Sequence, residues 1–558
     1  MARTSLVRML QRAYALSVRP DPQERRDRGI GRSERGVTRR EVLAGGLAAA
    51  AGIALTGIPG RTARAAAWRD DEEPVAILGG GLAGLTAAYR LSRAGIRCQV
   101  FEASRRWGGR VFTQVPFNAE GMFCELGGEL IDSDHTDLLA LAAELQLPID
   151  VLTEGDRIAR ELFFVDGRLR GETEILGAFG PLAGPLARDI ARLSPGGELV
   201  MPTYNRTLGV EDLDRISLAA YLDRLRGQVE GWLLRLVETA YVGEYGLEAD
   251  SQSALNLLTL IDPGTTQGFR ILGNSDESRR IRGGNGKLVA ALVEAVRGRV
   301  DLRPGYRLRA IRDTGTRLRL VFETDGGTRE VQARRALIAM PFSTLREVDG
   351  IFRLDLSPVK RRAIAGLAYG TNAKLMLGFK ARFWRDSSGG IPASSGSLYS
   401  DLGSQEFWET SRRQEGHSGI LTSFVGGHAG EKTFPDRVEQ ALHDLDRVYG
   451  GATGPDRAGR ARRDLSSAAA GPASALWDGR HAQMVWRLQP LSRGSYTCLG
   501  PGQYTTVFGA GGEPELSGRL AFAGEHCSVD SQGYMNGAIE SAQSAIEAWT
   551  SAKARVYR

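Results

Sequence analysis

Residues 74–102 constrain what this 558-residue chain can fold into more than any other stretch. The run Pro74-Val75-Ala76-Ile77-Leu78 is short, apolar and partly β-branched, which predicts a buried strand. It leads directly into Gly79-Gly80-Gly81-Leu82-Ala83-Gly84, and residues 85–94 then carry apolar side chains at helical spacing. After Gly95 a second strand is predicted over residues 97–101, ending at Glu102. Strand, glycine turn, helix and strand in that order form a dinucleotide-binding unit of a doubly wound α/β sheet. Gly79 permits the tight turn, Gly81 lets the backbone approach a pyrophosphate, and Gly84 lets the helix pack close. The helix start adds free N–H groups and the positive end of its dipole, both of which favour an anion. Glu102 stands 18 residues past Gly84, where such a unit hydrogen-bonds an adenosine ribose. A doubly wound sheet without nucleotide is the alternative, and it has no use for this glycine-to-carboxylate order.

The residues that follow narrow the nucleotide. Ala103-Ser104-Arg105-Arg106-Trp107-Gly108-Gly109-Arg110-Val111-Phe112-Thr113 resembles the glycine-pair-and-arginine segment of FAD-dependent amine oxidases. Gly108 and Gly109 would let backbone N–H groups reach the cofactor, and Arg110 would add a charge-assisted bond to its phosphates. The resemblance resumes at Leu520-Ala521-Phe522-Ala523-Gly524-Glu525-His526 and at Gln532-Gly533-Tyr534-Met535-Asn536-Gly537-Ala538-Ile539-Glu540-Ser541. In that family the first segment is a strand delivering an acid to the ribityl chain, here Glu525. The second is a helix N-terminus under the flavin pyrimidine, where the N–H of Met535 would meet a ring carbonyl. Between these ends, Arg282-Gly283-Gly284-Asn285-Gly286-Lys287-Leu288 resembles the family's glycine turn before a helix. Residues 302–311 match its next strand, with Leu308 as the aliphatic residue against adenine, and Ala336-Leu337-Ile338-Ala339-Met340-Pro341 matches the strand that returns to the sheet.

The fold implied is α/β: an FAD-binding Rossmann-like domain split among residues 66–150, 276–349 and 481–558, and an α+β substrate-binding domain from residues 151–275 and 350–480. In the latter, apolar spacing at Leu233, Leu236, Val237 and Ala240 predicts a helix, and the Gly/Ser/Ala-rich residues 387–397 and 466–474 read as loops.

Amine oxidation by a flavin needs the substrate α-carbon over N5, a neutral amine and aromatic walls more than a strong base. Asn372-Ala373-Lys374-Leu375, followed by Phe383-Trp384-Arg385, resembles the segment that presents a lysine to flavin N5 through a water, which gives that role to Lys374. An unpaired lysine is costly to bury in the apolar run Leu375-Met376-Leu377, which favours a functional reason for it. Trp486 matches the family's indole near N5, and Tyr496 and Tyr534 match the two walls of its aromatic cage. Relatives with covalent flavin carry cysteine before the first cage tyrosine. This chain has Ser495 there and Cys498 is misplaced, so the FAD is expected to be noncovalent. The resemblance implies hydride transfer from the amine α-carbon to FAD N5, imine hydrolysis, and reoxidation by oxygen to hydrogen peroxide. An L-amino acid oxidase is one alternative; a desaturase or porphyrinogen oxidase and a flavin-binding sensor without turnover are others.

The segment Cys124-Glu125-Leu126-Gly127-Gly128-Glu129-Leu130-Ile131-Asp132 corresponds to the family stretch that passes the substrate cavity. Several L-amino acid oxidases carry an arginine there that clamps the α-carboxylate. Here it holds Glu129 and no arginine, which argues for a cationic or neutral amine. The alternative is that Glu129 pairs elsewhere and that Ser133 or Asp134 simply caps a helix over residues 135–145. Cys98, Cys124, Cys498 and Cys527 show neither CxxC nor metal-ligand spacing, so their pairing stays open; Cys98 reads as a small buried hydrophobe. The six histidines are ungrouped, and no metal is expected.

Charge is lopsided. Residues 1–69 hold 14 Arg and five acidic residues, a local +9 that leaves −3 for the rest of a +6 chain. The basic excess therefore belongs to one arm and does not mark a nucleic-acid surface. In that arm Thr38-Arg39-Arg40-Glu41-Val42-Leu43 precedes an uncharged Ala/Gly/Leu stretch over residues 44–58, then Pro59 and small-residue cleavage sites at 63–67. The pattern resembles a twin-arginine signal. It implies export of the folded protein by the twin-arginine machinery, a mature form from near Ala66, and a periplasmic or secreted location. The oligomeric state stays open, with a homodimer among the options.

Overall fold

The computed structural model describes residues 73–556 apart from 155, 157, 159–160, 261–276, 388–389, 432–435 and 451–470. The expected leader over residues 1–65 lies outside the described residues. Val75–Leu78 forms the centre of a five-stranded parallel sheet in the order Leu520–Phe522, Ala336–Ile338, Val75–Leu78, Cys98–Glu102, Asp301–Pro304. Every pairing in it is parallel, and all four residues of the central strand are buried, as a sheet covered on both faces requires. The helix Leu82–Arg93 begins three residues before the apolar spacing suggests, because Gly81 takes the extended N-cap conformation and Leu82, Ala83 and Gly84 are already buried. Helices Gly286–Val296 and Met535–Val556 pack beside it on the same sheet.

Residues 302–311 do not form the single strand expected. Asp301–Pro304 joins the parallel sheet, whereas Arg307–Asp313 opens a three-stranded antiparallel sheet with Leu318–Thr324 and Gly327–Ala333. Gly305 turns the chain between them at φ +77°, and Gly305 and Tyr306 donate their N–H groups to Ser104 and Glu102 carbonyls. Pro304-Gly305 is a turn signal in its own right.

The second layer is a seven-stranded mixed sheet in the order Trp477–Val485, Ala373–Phe379, Gly419–Val425, Glu406–Glu409, Leu398–Ser400, Leu162–Val165, Arg168–Leu169. Trp477–Val485 runs through the domain junction expected at 480/481, so that junction falls inside a strand. Ala373–Phe379 is buried along its whole length. Leu375, Leu377 and Phe379 pack with Trp384 and with Val438, Leu442 and Leu445 of the helix Asp436–Tyr449. Met376 packs on the other side against Ile420, Ala482, Met484 and Trp486. A one-residue slip would turn Leu375, Leu377 and Phe379 out of that core, at roughly 2 kcal/mol each. The register is thereby fixed, and with it the face on which Lys374 stands.

The helix Gly231–Tyr245 buries Leu233, Leu236, Val237 and Ala240, as their spacing predicts. The helix Thr136–Glu144 has His135 at its cap position and no side-chain cap, so neither Ser133 nor Asp134 fills that role. Ser394, Ser395 and Ser397 lie in the expected loop yet are buried against the core, the Ser394 hydroxyl meeting the Trp384 carbonyl and the Tyr449 hydroxyl; of 466–474, residues 472–474 open the helix Pro472–Leu476 instead of a loop, and 466–470 lie outside the described residues. All four cysteines are buried free thiols, and burial pushes Cys98 up to about 12. No helix among the described residues is long and apolar enough to cross a membrane.

Candidate active site

One cavity of about 560 Å³ runs from the glycine turn of the parallel sheet to the buried face of the mixed sheet. At its first end Glu102, the last residue of its strand, accepts the Gly80 N–H at Oε2 and the Ser104 N–H at Oε1, each at 2.7 Å. Burial raises its pKa, and those two N–H groups and Arg106 offset part of the rise. The carboxylate thus ties both nucleotide loops together. Gly79, Gly81, Gly109 and Leu308 line the same end. Gly84 does not line it and acts from behind: a Cβ there would lie 1.9 Å from the Gly79 carbonyl oxygen. Arg106, absent from the sequence expectations, fastens the following loop by donating to the carbonyls of Trp107, Gly109 and Val111.

In the middle, two residues expected to act separately are joined. Arg110 Nη1 donates to Glu525 Oε1 at 2.8 Å and to the Ser495 carbonyl at 2.7 Å. Glu525 Oε2 accepts from the Thr497 hydroxyl at 2.7 Å and the Gly533 N–H at 3.0 Å. Burial alone would raise the Glu525 pKa, but Arg110 leads the groups that hold it below the usual range. Beside it, burial pushes His526 down to about 4, so its ring is neutral. Neither ring nitrogen of His526 has a hydrogen-bond partner among the described residues, although the residue lines the cavity. A Cβ on Gly81 would meet nothing nearer than the Gly109 Cα at 3.9 Å and would project into the space the turn leaves open. An orphaned buried imidazole, a cradle kept open by glycine, and carboxylates and a guanidinium along its walls fit a dinucleotide of the size and polarity of FAD.

At the far end stand Lys374, Trp486, Tyr496, Tyr534 and Met535, all lining the same cavity. The Trp486 indole N–H donates to the Leu126 carbonyl at 3.1 Å, and the Tyr496 hydroxyl donates to the Glu244 carbonyl at 2.6 Å. The Tyr534 ring meets His135 edge-on, with centroids 4.8 Å apart. Met535 opens its helix against Gly128. Ser495, where covalent relatives carry cysteine, donates its hydroxyl to Asn372 Oδ1 at 2.6 Å.

Lys374 is not the unpaired lysine that its apolar neighbours suggest. Its ammonium donates to Glu129 Oε2 at 2.8 Å, to the Gly127 carbonyl at 2.9 Å and to the Glu125 carbonyl at 3.3 Å, and it lies 5.1 Å from the Trp408 ring centroid. Its three N–H groups are therefore spent on protein acceptors. A water leading to the cofactor has to displace the longest of those bonds. Glu129 Oε1 accepts from the Thr410 hydroxyl at 3.1 Å and lies 3.6 Å from Arg280 Nη1. Burial opposes ionisation of Glu129, but Lys374 and Arg280 outweigh it and hold the pKa below 4.5. The alternative raised for Glu129, that it pairs elsewhere, is what the structure shows: its charge is met by two buried cations, so Glu129 by itself does not argue for a cationic or neutral amine. Arg280 and Trp408 carried no sequence signal. The Trp408 indole N–H reaches no partner among the described residues and adds a donor near the cavity.

Under this end, Glu125 accepts the Asn285 N–H at 2.6 Å and the Thr113 hydroxyl at 2.8 Å, and burial pushes it up to about 7. Asp132, Asp134 and His135 cluster within 4.8 Å, yet the Asp132 N–H donates to His135 Nδ1 and Asp132 accepts the Glu277 N–H. These bonds give the cluster a structural role behind Tyr534.

Comparison with known proteins places this geometry. Residues 82–548 match the family model for flavin containing amine oxidoreductases. The chain is 24% identical over 489 residues to flavin-containing amine oxidase B of Homo sapiens, covering 84% of this chain and 85% of that protein. It is also 24% identical over 586 residues to an L-glutamate oxidase precursor of Streptomyces viridosporus, covering 85% of each. The structure superposes on cyclohexylamine oxidase from Brevibacterium oxydans with a TM-score of 0.68 at 20% identity, covering 87% of this chain and 100% of that one, and shares its mixed α/β fold.

Proposed function

From the premise that the chain belongs to the flavin-containing amine oxidoreductase family, and is an FAD-dependent oxidoreductase acting on CH–NH groups, we propose that it is an exported oxidase of amines rather than of amino acids. When bound, FAD would supply a two-electron acceptor for a hydride from the amine α-carbon, with oxygen as the final acceptor giving hydrogen peroxide and water hydrolysing the released imine. The chain's residues hold and orient. Gly79, Gly81 and Gly109 admit the pyrophosphate to the backbone, Glu102 and Leu308 take the adenosine end, Arg110 and Glu525 serve the phosphates and ribityl chain, and Met535 offers a helix-terminal N–H. Tyr496 and Tyr534 flank the reacting amine, with Trp486 and Lys374 closing the space between them. Ser495 has no thiol to form the covalent link of some relatives, so the cofactor is held by these contacts alone. The FAD-binding part is assigned to residues 66–150, 276–349 and 486–558, and the substrate-binding part to 151–275 and 350–485, so that the last junction follows the strand Trp477–Val485 instead of cutting it.

The observation that carries this reading is that Lys374, Trp486, Tyr496 and Tyr534 line the same cavity as the glycine turn and Glu102. The preference for amines rests on the charges there. Among the described lining residues, Lys374, Arg106 and Arg110 already donate to protein acceptors, whereas Glu244 and Glu406 line the same cavity. A carboxylate clamp needs a guanidinium with free donors. The L-glutamate oxidase similarity supports the alternative, and one anaerobic experiment separates them. Amines are expected to bleach the flavin absorbance of the purified holoenzyme, and bleaching by L-amino acids alone refutes the preference.

Export rests on the arm alone. Substituting Arg39→Lys together with Arg40→Lys is expected to retain the protein in the cytoplasm, read by cell fractionation; unchanged export refutes a twin-arginine signal.

A further inference from the structure

We propose that Glu129 is a positioning residue for the amine oxidation proposed above: it fixes Lys374 as the cation of a buried ion pair, so that Lys374 serves as a permanent positive charge and takes no proton from the amine. The inference rests on that reading of the reaction, and the geometry below carries it.

Both residues are about 5% exposed. Lys374 stands on a strand whose register is locked by its hydrophobic neighbours, and Glu129 sits on a loop that two side chains clamp. Asn285 Nδ2 donates to the Gly128 and Glu129 carbonyls at 3.0 and 2.7 Å, while Lys374 itself donates to the Glu125 and Gly127 carbonyls. The Glu129 carboxylate has both oxygens engaged, one by Lys374 and the other by Thr410 and Arg280. It lines the cavity, but turning toward a substrate would break these contacts. An ammonium with three acceptors has no lone pair and accepts no proton; none has to be accepted, because hydride loss from a neutral amine leaves its N–H protons on the iminium that water then hydrolyses. A cation fixed before the reaction favours the negative charge that develops beside it during hydride transfer, at no cost of reorganisation.

The charge count shows what removing Glu129 does. Lys374 faces Glu129 and the Cys124 thiol, and Glu129 in turn faces Glu125 and Arg280, the latter from the strand Arg279–Ile281. Glu406 lies in the same register row as Lys374, two strands away through Phe424. Without the Glu129 carboxylate, two buried cations are left around a neutral side chain, and the loss of a proton from Lys374 relieves both desolvation and repulsion.

The test is a pH series on the holoenzyme with wild type, Glu129→Gln, Lys374→Met and the double variant. Two readouts are taken: the absorption spectrum of the bound flavin without substrate, and the anaerobic rate of flavin reduction by an amine. Glu129→Gln is expected to show a new ionisation between about pH 7 and 10, absent from wild type and from both Lys374→Met proteins. Above it the reduction rate should fall about tenfold per pH unit relative to wild type. Glu129→Asp, which keeps a carboxylate, should show no new ionisation even where its rate is lower, and it replaces the glutamine variant if that protein does not load flavin. The proposal is overturned if flavin-loaded Glu129→Gln keeps the wild-type spectrum and profile. It is equally overturned if wild type itself shows an ionisation that Lys374→Met removes, because Lys374 would then be the proton acceptor. If the spectral ionisation appears but no amine bleaches the flavin, the ion pair stands and the amine reading falls.

Discussion

Raising the pH from 5 to 8 should strip the Glu125 carboxyl of a proton that the folded protein holds more tightly than the unfolded chain does. Burial lifts this group from 4.5 to about 7; the Asn285 N–H and the Thr113 hydroxyl resist the rise, the neighbouring Glu129 adds to it and Arg280 works against it. Between those two values the native state binds more protons than the unfolded state, so stability falls as pH climbs. The contribution is whole below pH 4.5 and is lost as pH rises through about 7. At about 1.4 kcal/mol per pH unit the loss is roughly 3 kcal/mol. His526 works in the opposite direction. Burial depresses it from 6.5 to about 4, so the native state binds fewer protons there and its contribution grows with pH over that window. The two nearly cancel between pH 4.5 and 6.5, and the raw stability curve is uninformative. The difference between wild type and Glu125→Gln isolates the first group, because glutamine keeps an acceptor for Asn285 and does not titrate. Equilibrium denaturant unfolding, followed by tryptophan fluorescence, should show the variant gaining about 2.5 kcal/mol on wild type between pH 5 and 8. A difference that stays flat within about 1 kcal/mol, or has the opposite sign, refutes the burial argument for Glu125.

Gly84→Ala should abolish flavin loading or cost more than about 3 kcal/mol, since the added methyl meets backbone and not a movable side chain; a yellow, equally stable variant refutes the close-packing argument. Tyr496→Phe removes the bond to the Glu244 carbonyl and, combined with Tyr534→Phe, should lower kcat/KM for amines by about tenfold or more while flavin content stays unchanged. Wild-type turnover in the double variant refutes the two-tyrosine cage.

What was legible in the sequence is what is local. Residues 75–102 show strand, turn and helix through apolar period and glycine placement, and those devices act over a few bonds. The break at Gly305 was legible too, through Pro304-Gly305, but the family strand over 302–311 concealed it. What was not legible is pairing over distance. Arg110 and Glu525 lie 415 residues apart in the chain, and Lys374 and Glu129 lie 245 apart. Each member could be assigned a separate duty from its own motif. Their meeting shows that part of each charge serves the other. Arg280 sits in a short strand with no recognisable motif, and only the loop folded over it shows that it faces a carboxylate.

The Glu129 position shows why a motif's charge does not translate directly into a substrate's charge. Taken as a free residue, a carboxylate there selects a cationic amine and an arginine an amino acid, but Glu129 is not free. With Lys374 at 2.8 Å and Arg280 at 3.6 Å, Glu129 completes a local set of two positive charges and one negative. Glu129→Arg would make all three positive. At separations near 4 Å and an effective dielectric of about 20, each like-charge contact costs about 4 kcal/mol, more than a new carboxylate clamp returns. The single substitution is therefore expected to lose flavin or fold without gaining amino-acid oxidation. Glu129→Arg combined with Lys374→Met and Arg280→Met restores one net positive charge and should retain the fold. Amino-acid oxidation by the single variant, measured as peroxide release, would show that the ion pair is not what sets the charge of this end of the cavity.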